Sequence, residues 1–265
     1  MTYQTLTFDQ PEPGLGIITL NRPECLNAIN FQMLDDLYSL YAALEKDDQV
    51  RVLILTGKGR GFCSGADLKD KQLMSEESLK LFASADLHLE HIQQRYSGVV
   101  VGMRRLPQPV IAAVNGVAAG GGMCLALAAD IIIAGPTAKF IPSFINIGLS
   151  GGELGTTYFL PKMVGSAKAS EILMTGRAVA ADEADRIGLA SCLAGESDLM
   201  DKAMATAHQL LSKTSFGLRM TKAALRQNLD ATSLETAIAF ENRNQSIGCT
   251  TAEFFEAVAA FATKR

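Results

Sequence analysis

The chain has 265 residues, of which 48% are hydrophobic and 20% charged, and its formal net charge is −4. This composition is typical of a globular protein with a sizeable core, and it excludes the basic stripe of a nucleic-acid-binding surface. The five cysteines are scattered without a C-x-x-C pair, no signal core opens the chain and no segment reaches membrane-spanning length. We therefore expect free thiols, no metal site, no membrane partner and a cytoplasmic protein.

The first part of the chain predicts alternating strands and helices. "YQTLTFDQ" and "LGIITLN" predict a hairpin, and "VRVLILTG", "PVIAAVNG" and "DIIIAG" predict strands buried on both faces. A helix capped by Asn30 is predicted by an apolar stripe of Phe31, Leu34, Leu37, Tyr38, Tyr41 and Leu44. A second helix is expected over about 75–106. The recurring strand–loop–helix unit predicts an α/β layered core.

The last part of the chain predicts helices alone. Helical periodicity covers 198–211, 216–228, 234–246 and 251–263, with no low-complexity linker before it. We therefore divide the chain into a core over 1–195 and a helical C-terminal region over 196–265.

Two glycine-rich loops each follow a predicted buried strand. One holds three consecutive glycines, Gly120 to Gly122, and the other is "GFCSGADL". Neither matches the dinucleotide fingerprint nor the P-loop, so phosphate binding by those routes is not expected. Backbone N–H groups in such loops can form an oxyanion hole for an enolate or a tetrahedral adduct. The alternative for the glycine triplet is close packing of a helix on a strand.

Four longer segments carry a family resemblance. "NRPECLNAIN", "GRGFCSGADL", "AAVNGVAAGGGMCLALAADIIIA" and "LPKMVGSAKASEILMTGRAVAADEADRIGLA" occur in this order and resemble the crotonase family, the enoyl-CoA hydratase/isomerase superfamily. The resemblance covers nearly the whole chain. It implies an α/β fold of the crotonase type, a spiral of ββα repeats followed by a C-terminal helical region that assembles a homotrimer or a dimer of trimers.

The resemblance also implies a ligand and its site. The substrate would be an acyl-CoA thioester, with coenzyme A present only as part of it and no metal or redox cofactor. Ala66 and Gly121 would supply the N–H groups that hold the thioester oxygen. The coenzyme A channel would be lined by Arg22, Ala28, Ala66 and Leu68, and Lys264 would approach the nucleotide. For Arg22 and Lys264 a solvated surface charge is the open alternative.

The catalytic carboxylates depart from the hydratase pattern. Where hydratases of this family carry two glutamates, this chain has Cys124 and Phe144. Glu153 lies eight residues before Pro161, as does the aspartate of some family isomerases, although the upstream spacing is one residue longer. One carboxylate can move a proton between the α- and γ-carbons, so we expect double-bond isomerisation through Glu153. Water addition, a non-catalytic acyl-CoA-binding module and a merely helix-capping Glu153 remain alternatives.

Three further patterns have competing interpretations. "GLSGG" matches a hydrolase nucleophile elbow at Ser150, for which His208 is the only histidine that follows. His88 and His91 have helical spacing but lack further ligands nearby, so we expect them on a solvated face rather than at a metal. Cys124 is either a reactive thiol at a helix N-terminus or, as we prefer, a small buried hydrophobe.

Overall fold

The computed structural model describes residues 2–195 and 198–263, and its strands form two sheets. The six-stranded sheet has the order β1-β2-β3-β5-β7-β10 and the four-stranded sheet the order β4-β6-β8-β9. The strands of the first sheet are β1 (Leu6–Glu12), β2 (Leu15–Leu20), β3 (Val52–Gly57), β5 (Val110–Val114), β7 (Ile131–Ala134) and β10 (Cys192–Leu193). Those of the second are β4 (Gly61–Cys63), β6 (Val117–Ala119), β8 (Lys139–Ile141) and β9 (Val179–Ala180).

The two sheets grow together as a spiral. Strand β3 enters the first sheet and β4 the second, and the pairs β5–β6 and β7–β8 repeat this step. Successive repeats pair in parallel within each sheet. The expected spiral of ββα repeats is therefore present.

Twelve α-helices are found in the described residues. Those before the C-terminal region are α1 (Phe31–Leu44), α2 (Glu76–Leu81), α3 (Ala85–His88), α4 (Gln94–Arg105), α5 (Gly121–Ala128), α6 (Thr156–Val164), α7 (Ser166–Thr175) and α8 (Ala181–Arg186). All eight residues of α5 are buried, because this helix runs through the main core. It is uncharged throughout, as a helix without an exposed face must be.

Several local predictions are confirmed. The first two strands form the antiparallel hairpin, β3 is buried along its whole length, and the side chain of Asn30 accepts a hydrogen bond from the N–H of Met33 at 2.9 Å. Tyr38 is the exception in the stripe of α1. Its side chain is 37% exposed and its hydroxyl donates to the carbonyl of Arg95, since α4 crosses α1 at that point.

The prediction of one helix over 75–106 was wrong. The segment is divided into α2, α3, a π-helical turn over Leu89–Gln93, and α4. Ser75 and Ser84 act as N-caps of α2 and α3 respectively, and each side chain accepts a backbone N–H inside the segment. Serine side chains favour helix starts over helix interiors, which explains the interruption. The short strand β6 was also missed, because "VAA" is too short to show a period.

The C-terminal helices agree with the sequence prediction to within two residues. They are α9 (Leu199–Leu211), α10 (Ser215–Asn228), α11 (Leu234–Gly248) and α12 (Ala252–Thr263). Helix α9 packs on the six-stranded sheet, where Ala203 and Ala207 join a buried cluster with Val52 and Ile54. The division at 195/196 stays a prediction. Within the described residues, no helix combines the length and apolar character that crossing a bilayer requires.

Candidate active site

The two glycine-rich loops lie side by side at one edge of the four-stranded sheet. Strands β4 and β6 pair in parallel with Cys63 opposite Ala118, so the residues that follow them leave the sheet together. A Cβ built on Gly65 would lie 3.3 Å from the amide nitrogen of Gly121. The loops that carry Ala66 and Gly121 are thus direct neighbours.

The backbone directs N–H groups into the space beside these loops. Ile29 donates its N–H to the carbonyl of Gly65 at 2.7 Å and accepts the N–H of Asp67 at 2.9 Å. Because both bonds go to the residues flanking Ala66, the N–H of Ala66 points away from Ile29. Gly121 is the first residue of α5, so its N–H has no partner within the helix. The arrangement can present two donors, with the positive end of α5 behind them, to one anionic oxygen.

The residues expected to line the coenzyme A channel are joined by a partly buried ion pair. Arg22 donates to the carbonyl of Ala28 at 2.5 Å and to the carboxylate of Asp67 at 2.8 Å. The Arg22 and Asp67 side chains are 18% and 12% exposed. Arg22 is therefore not a solvated surface charge, because it ties the 22–28 loop to the loop of Ala66. Leu68 is exposed, and Lys264 lies outside the described residues.

Glu153 lies on the wall of a cavity of about 610 Å³. Gln93, Val100, Arg104, Leu154 and Phe159 are among the other lining residues. The Glu153 carboxylate accepts a hydrogen bond from the side-chain amide of Gln93 through Oε1. Leu154 also approaches the glycine triplet, because its Cδ1 lies 3.7 Å from the position of a Cβ on Gly121. One residue thus links the cavity of Glu153 to the start of α5.

Neither residue at the hydratase glutamate positions can replace a carboxylate. Cys124 is fully buried, and its thiol donates to the carbonyl of Glu153 at 3.7 Å. Burial, reinforced by the negative charge of Glu153, raises the pKa of the Cys124 thiol well above its usual range. The thiol stays protonated at neutral pH, so Cys124 behaves as a small hydrophobe rather than a nucleophile. Phe144 is partly buried, with its ring beside Gly120.

The sequence analysis did not predict two residues of this site, Thr156 and Gln93. Thr156 is fully buried, and its hydroxyl accepts the N–H of Glu153 at 3.0 Å and donates to the carbonyl of Gly151 at 2.8 Å. Gln93 closes the π-helical turn. Thr156 could have been suspected as a hydrogen-bonding residue three positions after a carboxylate. No periodicity marks Gln93, since the π-helical turn shifts the register that periodicity assumes.

The structure argues against the hydrolase alternative. The His208 ring lies 2.6 Å from the carboxylate of Glu12, on the hairpin. Ser150 instead accepts the N–H of Gly152 at 3.0 Å, within the loop before α6. A catalytic triad needs the histidine ring to be hydrogen-bonded to the serine hydroxyl. Among the residues described, no group of three or more His, Cys, Asp or Glu side chains is placed to hold a metal ion, and His91 is half exposed beside Glu90.

Comparisons with known proteins agree on one family. The family model "Enoyl-CoA hydratase/isomerase" matches residues 10–265. A relative from Mycobacterium bovis, named a probable enoyl-CoA hydratase, is 43% identical over 100% of this chain and 92% of its own length. The 1,2-epoxyphenylacetyl-CoA isomerase of Escherichia coli K12 is 37% identical over 96% of this chain and 94% of its own.

A solved structure extends this agreement to the fold. The enoyl-CoA hydratase from Bacillus anthracis superimposes with a TM-score of 0.90 at 31% identity, covering 99% of this chain and 97% of that one. The match includes both the spiral of ββα repeats and the C-terminal helices. From its sequence and its fold, the chain belongs to the enoyl-CoA hydratase/isomerase family, the crotonase superfamily, and is an enzyme of that family.

Proposed function

We propose that this enzyme is an enoyl-CoA isomerase that moves a double bond with Glu153 as its single proton carrier. The observation that supports this most strongly is the environment of Glu153. It is a carboxylate on a cavity wall, one residue from the Leu154 side chain that reaches the start of α5. The two positions of the hydratase glutamates hold a buried neutral thiol and a phenyl ring. Water addition needs a base for water and an acid for the α-carbon, and this chain offers one carboxylate for both.

The proposed reaction balances with that carboxylate alone. Glu153 removes a proton from the α-carbon of a 3-enoyl thioester, and the electron pair passes to the thioester oxygen as a dienolate. The N–H groups of Ala66 and Gly121 donate to this oxygen, each contributing roughly 3 kcal/mol to the transition state. The carboxylic acid then returns the proton to the γ-carbon and the conjugated 2-enoyl thioester forms. No metal or redox cofactor takes part in these steps.

Coenzyme A would lie along the loops that Arg22 joins. Leu68 and the backbone around Ala28 and Ala66 would contact it, while Arg22 holds these segments at a fixed separation through Ala28 and Asp67. Lys264 remains proposed as a contact to the nucleotide.

The assembly we propose is a homotrimer or a dimer of trimers. Helices α10 to α12 carry several large apolar side chains that are at least 60% exposed in the single chain, namely Leu225, Leu234, Phe255 and Phe261. Exposed apolar residues gathered on consecutive helices are typical of an interface. Sedimentation equilibrium of the purified protein measures the mass of the assembly.

Turnover in heavy water tests the proposed reaction. The products are identified by mass spectrometry and NMR. We expect a 3-enoyl-CoA to give the conjugated 2-enoyl-CoA without the addition of water. Glu153→Gln should lower this rate by at least about 100-fold, because general acid–base catalysis contributes that much or more. Glu45→Gln removes the same charge from the exposed end of α1 and should leave the rate unchanged.

Other outcomes favour the alternatives. Hydratase names are common among the relatives, so 2-enoyl-CoA should be supplied in a parallel reaction. Accumulation of 3-hydroxyacyl-CoA would establish water addition and refute our assignment of the proton carrier. Tight acyl-CoA binding with no turnover of either substrate, unaltered in Glu153→Gln, would instead support a binding module.

A further inference from the structure

The side chain of Gln93 is hydrogen-bonded to the carboxylate of Glu153. Its Nε2 donates to Oε1 of Glu153 across 60 positions of sequence, and both residues line the same cavity. An ionised carboxylate only accepts hydrogen bonds, so the amide nitrogen rather than the oxygen must face it. Within the described part of the chain, the second carboxylate oxygen of Glu153, Oε2, makes no hydrogen bond or ion pair. The carboxylate is therefore held at one oxygen and free at the other.

A π-helical turn places Gln93 at this point. The backbone N–H of Gln94 donates to the carbonyl of Leu89, five residues earlier, where an α-helix would use the fourth. One extra residue per turn rotates everything that follows by about 100° relative to α3. Without it, a different residue would face Glu153. Such π-helical turns inside α-helical segments are uncommon and are frequent at functional sites.

The Glu153 side of the contact is also fixed. Thr156, the first residue of α6, accepts the backbone N–H of Glu153 and donates to the carbonyl of Gly151. Leu154, which follows Glu153, has φ of +46° and Gly155 has +88°, a left-handed backbone that is strained for a leucine. The orientation of the Glu153 carboxylate is therefore determined by the backbone that carries it and by the hydrogen bond from Gln93.

We propose that Gln93 is a positioning residue for Glu153. It fixes the carboxylate through Oε1, so that Oε2 faces the reacting carbons of the thioester. This inference rests on the proposed function of Glu153. The other titratable or charged side chains around the cavity are on α4, α5, α6 and α10: Arg104, Arg105, Cys124, Tyr158 and Arg226. Gln93, by contrast, is neutral, and it donates a hydrogen bond to the Glu153 carboxylate.

Two substitutions of Gln93 test the proposal by steady-state kinetics of the full-length enzyme with 3-enoyl-CoA. Gln93→Leu keeps a branched side chain that is one atom shorter, and it removes the donor. We expect kcat to fall roughly 10- to 100-fold, the range for a hydrogen bond to a charged group, with KM within about twofold. Gln94→Leu, one position further on an exposed site, should leave both constants unchanged.

Gln93→Glu adds a readout that a merely structural role would not change. At pH 8 the introduced carboxyl is ionised and repels Glu153, whereas with its proton it can donate as the amide does. The ratio of the variant's kcat to that of the wild type should therefore rise at least about tenfold as the pH falls from 8 to 5.5.

The outcomes separate this inference from the proposed function. If the wild type isomerises and Gln93→Leu keeps its kcat, or the Gln93→Glu ratio is flat with pH, the positioning role is refuted while the function stands. If Gln93→Leu does not fold, the pH ratio of Gln93→Glu decides. A wild type that does not convert 3-enoyl-CoA to 2-enoyl-CoA refutes the proposed function and this inference with it.

Discussion

The three consecutive glycines differ in how strictly their positions require glycine. Gly120 has φ of +49° and precedes α5 in a backbone conformation that other residues rarely adopt. A Cβ on Gly121 would lie 3.2 Å from the terminal methyl of Ile29, which can move. A Cβ on Gly122 would lie 2.0 Å from the carbonyl oxygen of Cys63, which belongs to strand β4 and cannot. Close packing of a helix on a strand, the alternative to a ligand-binding loop, thus accounts for Gly122 alone.

Gly122→Ala should destabilise the protein far more than Gly121→Ala. The first change forces α5 away from β4, and overpacking of this kind costs about 1–3 kcal/mol. The second meets only a flexible methyl and gains up to about 1 kcal/mol of helix propensity, so its net effect should be small. Urea unfolding of both variants measures the difference. Equal stabilities would show that the β4 contact does not require glycine.

The sequence could predict those site residues that belong to local motifs, but not those whose contact joins residues far apart in the chain. The pattern around Ala66 and Gly121 is local to two loops, and the parallel pairing of β4 with β6 then brings those loops together. The contact between Gln93 and Glu153 depends on a π-helical turn and a left-handed loop that have no counterpart in the spacing of apolar residues. Such a contact appears only once the backbone is known.

Among the elements, α10 is attached to the core by a nearly buried charge cluster. Lys222 on α10 is 7% exposed, lies 2.7 Å from the carboxylate of Asp130, and donates to the carbonyl of Gln108 at 2.8 Å. Arg104 on α4 reaches the same carboxylate at 3.1 Å. Burial lowers the pKa of Lys222, while Asp130 opposes that shift. The helical periodicity that predicted α10 contains no sign of this contact, because Asp130 is nearly a hundred residues away.

Asp130→Asn should therefore destabilise the protein strongly. It leaves the Lys222 and Arg104 cations without a counter-charge, and breaking a buried pair costs about 3–5 kcal/mol, toward the lower end here since Asp130 is partly exposed. The folded chain binds the Lys222 proton less tightly than the unfolded chain does. Stability in this variant should accordingly recover as the pH rises toward 10.5 and the unfolded chain holds the extra proton.

Urea unfolding at pH 7 and 9.5 checks both statements. Asp35→Asn is the matched control, because its pair with Arg95 is exposed and should contribute at most about 1 kcal/mol. An Asp130→Asn variant no less stable than the control would mean that the charges around Asp130 do not hold α10 to the core.

For the whole molecule, the spiral explains why the candidate active site lies where it does. Each repeat adds one strand to each sheet, so the loops after β4 and β6 must leave the four-stranded sheet at the same edge. The buried strand patterns predicted a recurring strand–loop–helix unit, and the family resemblance implied the spiral of ββα repeats. The division of the strands into two sheets follows from the strand order in the structure. The C-terminal helices follow a different rule. Helix α9 covers the six-stranded sheet, and α10 to α12 leave apolar side chains without a partner in the single chain.

Substituting these apolar side chains should disrupt the proposed trimer. Leu234 and Phe255 are 71% and 62% exposed, and burying such side chains fully between chains is worth about 1.5–3 kcal/mol each. In the double variant Leu234→Asp and Phe255→Asp, each buried side chain is replaced by a charge, and we expect sedimentation equilibrium to find monomers. Met174→Asp changes an equally exposed apolar residue on α7 and should keep the mass of the wild type. A double variant that retains this mass would place the interface on another surface.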